Sequence, residues 1–227
     1  MRHVGRWRCI TSSRDSSTAL RVTAVTQSAQ LGGAERMLLD FANRAFEHDI
    51  ALRVLTPLKG PLVRILKNIG VPTAVVEAPR PMLHGTEQVT HRRSLIAGLP
   101  GFWRWSRRLT RHEYMRDAEV VYSTGFKPQL ALALSRRHPV AWHLHAFPPE
   151  DTGRLWRWLA RTIPDATIAN SHPVGEAWRA GSGKRTVVIP NGINLDRFKP
   201  AERTHWIHDR LGIPREHRLI GMPAVFH

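Results

Sequence analysis

The chain has 227 residues, 42% of them hydrophobic, with a formal net charge of +16 and a pI near 11.5. That length holds one large domain or a domain plus a piece, and the apolar content suffices for a core. No apolar run approaches the ~20 residues that span a bilayer, and the lone Cys9 rules out a disulfide framework. A reducing compartment fits, and the start lacks the apolar stretch of a secretory signal. The reading is therefore a cytoplasmic protein with scope for peripheral contact at the inner membrane face. The charge favours anionic partners: nucleic acid, anionic lipid or phosphorylated substrates. A coding bias toward arginine explains the same charge, since Arg greatly outnumbers Lys.

Residues 1–19 are Arg- and Ser-rich without a period, as in a disordered tail, a start placed too far upstream or an amphipathic targeting peptide. Leu20 to Thr26 reads as a strand. Gly32-Gly33 then opens a helix over Ala34 to Ala45, with Met37, Leu38, Phe41, Ala42 and Ala45 at helical spacing. A strand, a Gly-rich loop and a helix start make an anion site, because free N–H groups and the positive dipole end face the loop. The dinucleotide pattern G-x-G-x-x-G is absent. Glu35 suits the first turn for its charge alone. Ile50 to Thr56 is the second strand, Pro61 to Asn68 a helix with Leu62, Ile65 and Leu66 inward and Gly70 as its cap, and Thr73 to Val76 the third strand. This β-α-β-α-β rhythm predicts an α/β fold: a Rossmann-like, doubly wound, mostly parallel sheet.

Residues 79–90 read as a loop. His91 to His112 is the most basic stretch, interleaved with Phe102, Trp103 and Trp105. Two readings stand: an amphipathic crossover helix with Phe102, Trp105 and Leu109 inward, or a surface for anionic lipid headgroups. No nucleic-acid motif accompanies the charge, so nucleic acid is not an expected partner. Ala118 to Tyr122 is a fourth strand. Beyond it Thr124 and Gly125 suit substrate contact at a strand's carboxyl end, and Ser123 or Thr124 serves equally as a helix N-cap. Gln129 to Ser135 is a crossover helix and Val140 to Leu144 a fifth strand. His143 and His145 share one face, but no further ligands at metal spacing accompany them, so no metal is expected. Thr152 to Arg161 is a basic helix with Leu155, Trp158 and Leu159 on one side. Ala166 to Ala169 is a sixth strand, and Ser171 N-caps the next helix.

Residues 181–186 imitate a phosphate loop. Trp178 stands where its first Gly belongs, and the segment precedes a strand instead of following one. Val187 to Ile189 makes a short buried-type strand that Pro190 ends. Asn191-Gly192 reads as a turn pair that tolerates positive φ and brings backbone close to a ligand. A helix over Arg203 to Leu211 ends at Gly212-Ile-Pro214, and Arg218 to Phe226 begins another strand.

The run Val188-Ile-Pro-Asn-Gly-Ile-Asn-Leu-Asp-Arg-Phe-Lys-Pro200 resembles the pattern V-I-P-N-G-V/I-D-x-x-x-F-x-P of glycosyltransferase family 4, with Asn194 where the family has Asp. Gly32-Gly33-Ala34-Glu35 is similar to its opening G-G-x-E. The resemblance implies the N-terminal, acceptor-side domain of a GT-B fold. It places a tail at 1–19, that domain at 20–200, and at 201–227 a link and first strand of a second domain that the chain stops short of. It implies a retaining transfer of a sugar from a nucleotide diphosphate sugar to a glycan or lipid-linked acceptor, without cofactor or bound metal. Gly32 and Gly33 would lie against donor diphosphate or acceptor. Thr124, Gly125, Asn191 and Gly192 would stand at substrate, and His145 would contact the transferring sugar or a nearby phosphate. Ala146 replaces the acidic residue that often follows that His. The family's basic pair and E-x7-E carboxylates are missing, so the chain alone is expected to be weakly active or inactive and a separately encoded second half to complete it. The alternative is a non-catalytic basic module that binds anionic lipid or polysaccharide.

Overall fold

A computed structural model describes residues 19–79, 92–133, 138–148, 153–179, 186–195, 198–200, 202 and 204–221, with backbone alone over 92–99 and at 179. The expectations for the tail, the 80–91 loop, the imitation phosphate loop at 181–185 and residues 222–227 lie outside these. The described residues up to Gly192 form one unit and those from Ile193 a second.

The first unit is built on seven parallel strands in the order β3-β2-β1-β4-β5-β6-β7. They are β1 (Leu20–Val25), β2 (Ile50–Thr56), β3 (Thr73–Val75), β4 (Val120–Thr124), β5 (Val140–Leu144), β6 (Ala166–Ala169) and β7 (Thr186–Val188). The helices are α1 (Gly33–Ala45), α2 (Pro61–Asn68), α3 (Arg92–Arg111), α4 (Glu113–Arg116), α5 (Phe126–Ala133), α6 (Gly153–Thr162) and α7 (His172–Arg179). Right-handed crossovers running one way from β1 and the other way from β4 place helices on opposite faces. The strands split their side chains accordingly. Val22, Ala24, Leu52 and Val54 pack with Leu38 and Leu62 of α1 and α2. Val25, Leu55, Val121, Trp142 and Leu144 pack with Trp105, Leu109, Leu132 and Trp178.

The third connection returns across the sheet through α3, which is docked by named bonds. Trp105 Nε1 donates to the Val76 carbonyl at 2.8 Å and Ser106 Oγ to the Ala131 carbonyl at 2.6 Å. Trp105 and Leu109 are buried and Phe102 packs beside them, as the amphipathic reading expects. Trp103 is 51% exposed, with the Arg107 guanidinium 4.4 Å from its ring centroid.

Four expectations need correction. The strand at Val187 is the sheet's edge, not a buried strand: Val187 and Ile189 are exposed, because only β6 pairs with it. Helix α6 turns the other way. Trp156, Leu159 and Ala160 face the core, whereas Leu155 and Trp158 are 54% and 56% exposed. Neither Ser123 nor Thr124 caps α5. The Gly125 carbonyl accepts its first helical bond, from Gln129 N at 3.3 Å, and Ser123 Oγ has no partner. Ser171 does cap α7, accepting from Val174 N at 3.4 Å.

In the second unit, α8 (Trp206–Leu211) ends at Gly212, whose φ of +65° is the left-handed helix stop that favours glycine. The Arg215 guanidinium grips Asp209 through two bonds of 2.9 and 3.0 Å. The fourth correction lies here: residues 218–221 form no strand, and Ile220 is fully exposed, there being no neighbouring strand to pair with.

Candidate functional site

Strands β1 and β4 are neighbours whose connections leave in opposite directions, so a crevice opens at their carboxyl ends. Two residues after β1 stands Gln27, and directly after β4 stands Gly125. Gly125 has φ of +84°, a value that strains any residue with a Cβ. Such a Cβ would also fall 2.2 Å from Gln27 Oε1. Glycine is needed there twice over, for backbone shape and to seat the Gln27 side chain.

The cleft beside this pair has a volume of about 70 Å³. Gln27 and Ala34 line it from the β1 side, and Phe126 and Gln129 from α5. Residues His143 to Ala146 come from the end of β5, and Trp178 from α7. No charged side chain lines it, despite the basic composition. Phe126 and Trp178 are stacked, with centroids 5.7 Å apart and 29° between planes.

His143 is buried and His145 half-buried, and both are held toward the neutral form. Burial, then the neighbouring His145, pushes the His143 imidazole down to about 3. Burial also holds His145 below its ordinary value and pushes the Tyr122 phenol up. Tyr122 Oη is hydrogen-bonded to His143 Nδ1, and the two imidazole rings lie 4.0 Å apart. With the phenol as the donor of this pair, Nδ1 is the acceptor. The one proton of neutral His143 then sits on Nε2. The chain at His145 is held from below: Asn170 Nδ2 donates to the His145 carbonyl at 3.2 Å and Trp178 Nε1 to the Ala146 carbonyl at 2.8 Å. Nε2 of both histidines and Oε1 of Gln129 are buried without a partner.

Of the residues singled out from the sequence, Gly125 and His145 line this cleft, and Gly32 and Gly33 precede the lining residue Ala34. Gly32 is the N-cap of α1, and its N–H is already used. Glu35, three residues on, is 6% exposed and accepts from the N–H groups of Gly32 and of its own backbone. This is half of a capping box. Burial raises the Glu35 carboxyl above its ordinary value, outweighing those bonds. A Cβ at Gly32 would meet that carboxylate at 2.7 Å, whereas Gly33 faces open space. Thr124 is buried and outside the lining. Asn191 and Gly192 are exposed, also outside it, and adopt no positive φ; the chain leaves the edge strand extended, so the expected turn does not form. Sequence reasoning passed over Gln27, Gln129 and the role of His143. Among the described residues no group of three His, Cys, Asp or Glu could hold a metal, and no helix is long and apolar enough to cross a membrane.

The sequence model of glycosyltransferase family 4 matches residues 31–197. A search of the curated proteins finds no match. Among solved structures, the Anabaena protein Alr3699/HepE, crystallised with UDP and glucose, aligns at a TM-score of 0.63 and 21% identity over 85% of this chain and 50% of its own. A glycosyltransferase from Rickettsia africae aligns at 0.57 and 14% identity, over 88% and 51%. Sucrose-phosphate synthase from Thermosynechococcus elongatus aligns at 0.55 and 15%, over 86% and 53%. At these identities the likeness establishes the fold, a Rossmann-like half of the GT-B architecture. The chain spans about half the length of these solved relatives.

Proposed function

The chain belongs to glycosyltransferase family 4, and from that premise we propose that its first unit forms the acceptor-side half of a site that transfers a sugar from a nucleotide diphosphate sugar, with retention. The observation that carries this reading is the cleft itself. It opens at the carboxyl ends of β1, β4 and β5, with every lining residue but Gln27 inside the family match and His145 at its wall. His145 holds the transferring sugar or a nearby phosphate oxygen through Nε2, and the bonds from Asn170 and Trp178 fix the backbone that presents it. Leaving-group charge at the diphosphate is stabilised by fixed dipoles. Of the first-turn amides of α1, those of Gly33 and Ala34 are the two that Glu35 does not take. A cleft of 70 Å³ is far below the ~300–1,000 Å³ of a whole small-molecule pocket. The nucleotide is therefore held by groups outside the lining, and a separately encoded donor-binding half is one source of them. No cofactor takes part; the nucleotide sugar is a substrate.

The test is transfer from UDP-glucose, UDP being the nucleotide bound by the Anabaena protein. Release of UDP is assayed for the chain alone and with the second half of a family 4 enzyme. Acceptor-dependent release, lost in His145→Ala, supports the reading; none in either mixture contradicts it.

One observation favours a further partner, an anionic membrane surface carrying a lipid-linked acceptor. Leu155 and Trp158 of α6 are exposed beside Arg154 and Arg157, and Phe147, at the cleft's own loop, is 60% exposed. Sedimentation with anionic liposomes, weakened by salt and by Trp158→Ser, is the expected result; equal binding to neutral liposomes contradicts it.

A further inference from the structure

Three polar atoms without partners meet at one cleft: Oε1 of Gln129, Nε2 of His143 and Nε2 of His145. Gln129 is 1% exposed and His143 8%. A buried polar atom without a partner is unfavourable, and three lining one cleft call for an explanation. We propose that Gln129 and His143 form a neutral subsite for a sugar hydroxyl, which accepts from His143 Nε2–H and donates to Gln129 Oε1. This deepens the transferase reading and rests on it.

The chemistry selects a hydroxyl over a phosphate. A hydroxyl donates and accepts at once, which is what one free donor and one free acceptor require. A phosphate oxygen would face Gln129 Oε1, acceptor against acceptor. No cation lines the cleft to offset its charge. The stacked Phe126 and Trp178 offer an apolar wall to the C–H face of a sugar. The volume of 70 Å³ exceeds the ~10–15 Å³ a single water needs and suits a hydroxylated carbon, not a nucleotide. Gln27 is exposed and seated against Gly125 at the same cleft. Gln129 Nε2 already donates to the His143 carbonyl at 3.4 Å, which fixes Oε1 as its free end.

The hydroxyl belongs either to the donor sugar or to an acceptor sugar. The experiment follows the His143 ring resonances of the full chain by NMR, with UDP-glucose, UDP, methyl glucoside and inorganic pyrophosphate as probes. A His143 response to UDP-glucose but not to UDP assigns the subsite to the donor sugar, and a response to methyl glucoside alone assigns it to an acceptor sugar. Either outcome supports the inference, provided Gln129→Met weakens that sugar's binding by roughly 5- to 30-fold while UDP binding stays within about twofold. Should Gln129→Met misfold, His143→Gln is read the same way, with melting temperature as the control. A response to pyrophosphate or UDP equal to that of the sugars overturns the subsite and leaves the transferase reading standing. Silence of His143 toward every sugar overturns it too, ordered water then being the occupant; the transferase reading is judged separately by UDP release.

Discussion

The two halves of the sheet's carboxyl edge treat their polar groups differently. On the β1–β3 side the described groups close on themselves. Glu35 caps Gly32, and Thr56 Oγ1 donates to the Leu58 carbonyl at 3.0 Å. On the side from β4 onward, Ser123, Gln129, His143, His145 and Asn170 each keep a buried polar atom without a partner. The first half spends its hydrogen-bonding capacity internally, and the second keeps some of it unspent, at the edge where the proposed ligand would bind.

The strongest way to break this contrast is His145→Ala. Its Nε2 has no partner among the described residues, so stability should hardly move, whereas sugar transfer should fall about 100-fold. A stability loss without a transfer loss would put His145 in the closed class. Next is Gly125→Ala at the seam between the halves. Its left-handed φ and the Gln27 contact predict a loss of about 1–3 kcal/mol in urea unfolding. Adding Gln27→Ala should restore only the steric part.

Acid sharpens the comparison. His143 titrates at about 3 when folded against 6.5 ordinarily, so between these values the unfolded chain binds more protons. Its contribution is complete above pH 6.5 and is lost as pH falls toward 3, by on the order of a few kcal/mol. His143→Gln should flatten that loss in unfolding curves. Glu35 gives the smallest effect and the opposite sign. Its raised value means the folded chain binds the extra proton just above 4.5, so its contribution declines as pH rises through that window. Glu35→Gln, which can still accept from Gly32 N–H, should remove the decline.

Much of this fold is legible in the chain because apolar β-branched runs are bounded by turn residues. Ile50–Thr56, Val140–Leu144 and Ala166–Ala169 appear with the limits their composition suggests. Helix α6 was ambiguous for a physical reason. Leu155, Trp156, Trp158 and Leu159 put apolar side chains on both faces, and packing of Trp156, Leu159 and Ala160 on the core, with Trp156 4.9 Å from Phe126, selects the inner one. Sequence pattern brought His145 and Gly125 to the cleft but not its other members. Gln129 sits in an apolar helix, where a lone glutamine reads as surface, and burial to 1% depends on packing from distant elements. The capping role of Glu35 was half visible in its spacing from Gly32, but its burial was not.

The most direct test of the open-edge account is an amide shift map of the isotopically labelled chain titrated with UDP-glucose. The account predicts that the largest shifts fall on Gly125 to Gln129 and His143 to Ala146, with Ile50–Thr56 and Thr73–Val75 unmoved. Shifts centred on the β2–β3 edge, with His143 to Ala146 silent, would contradict it.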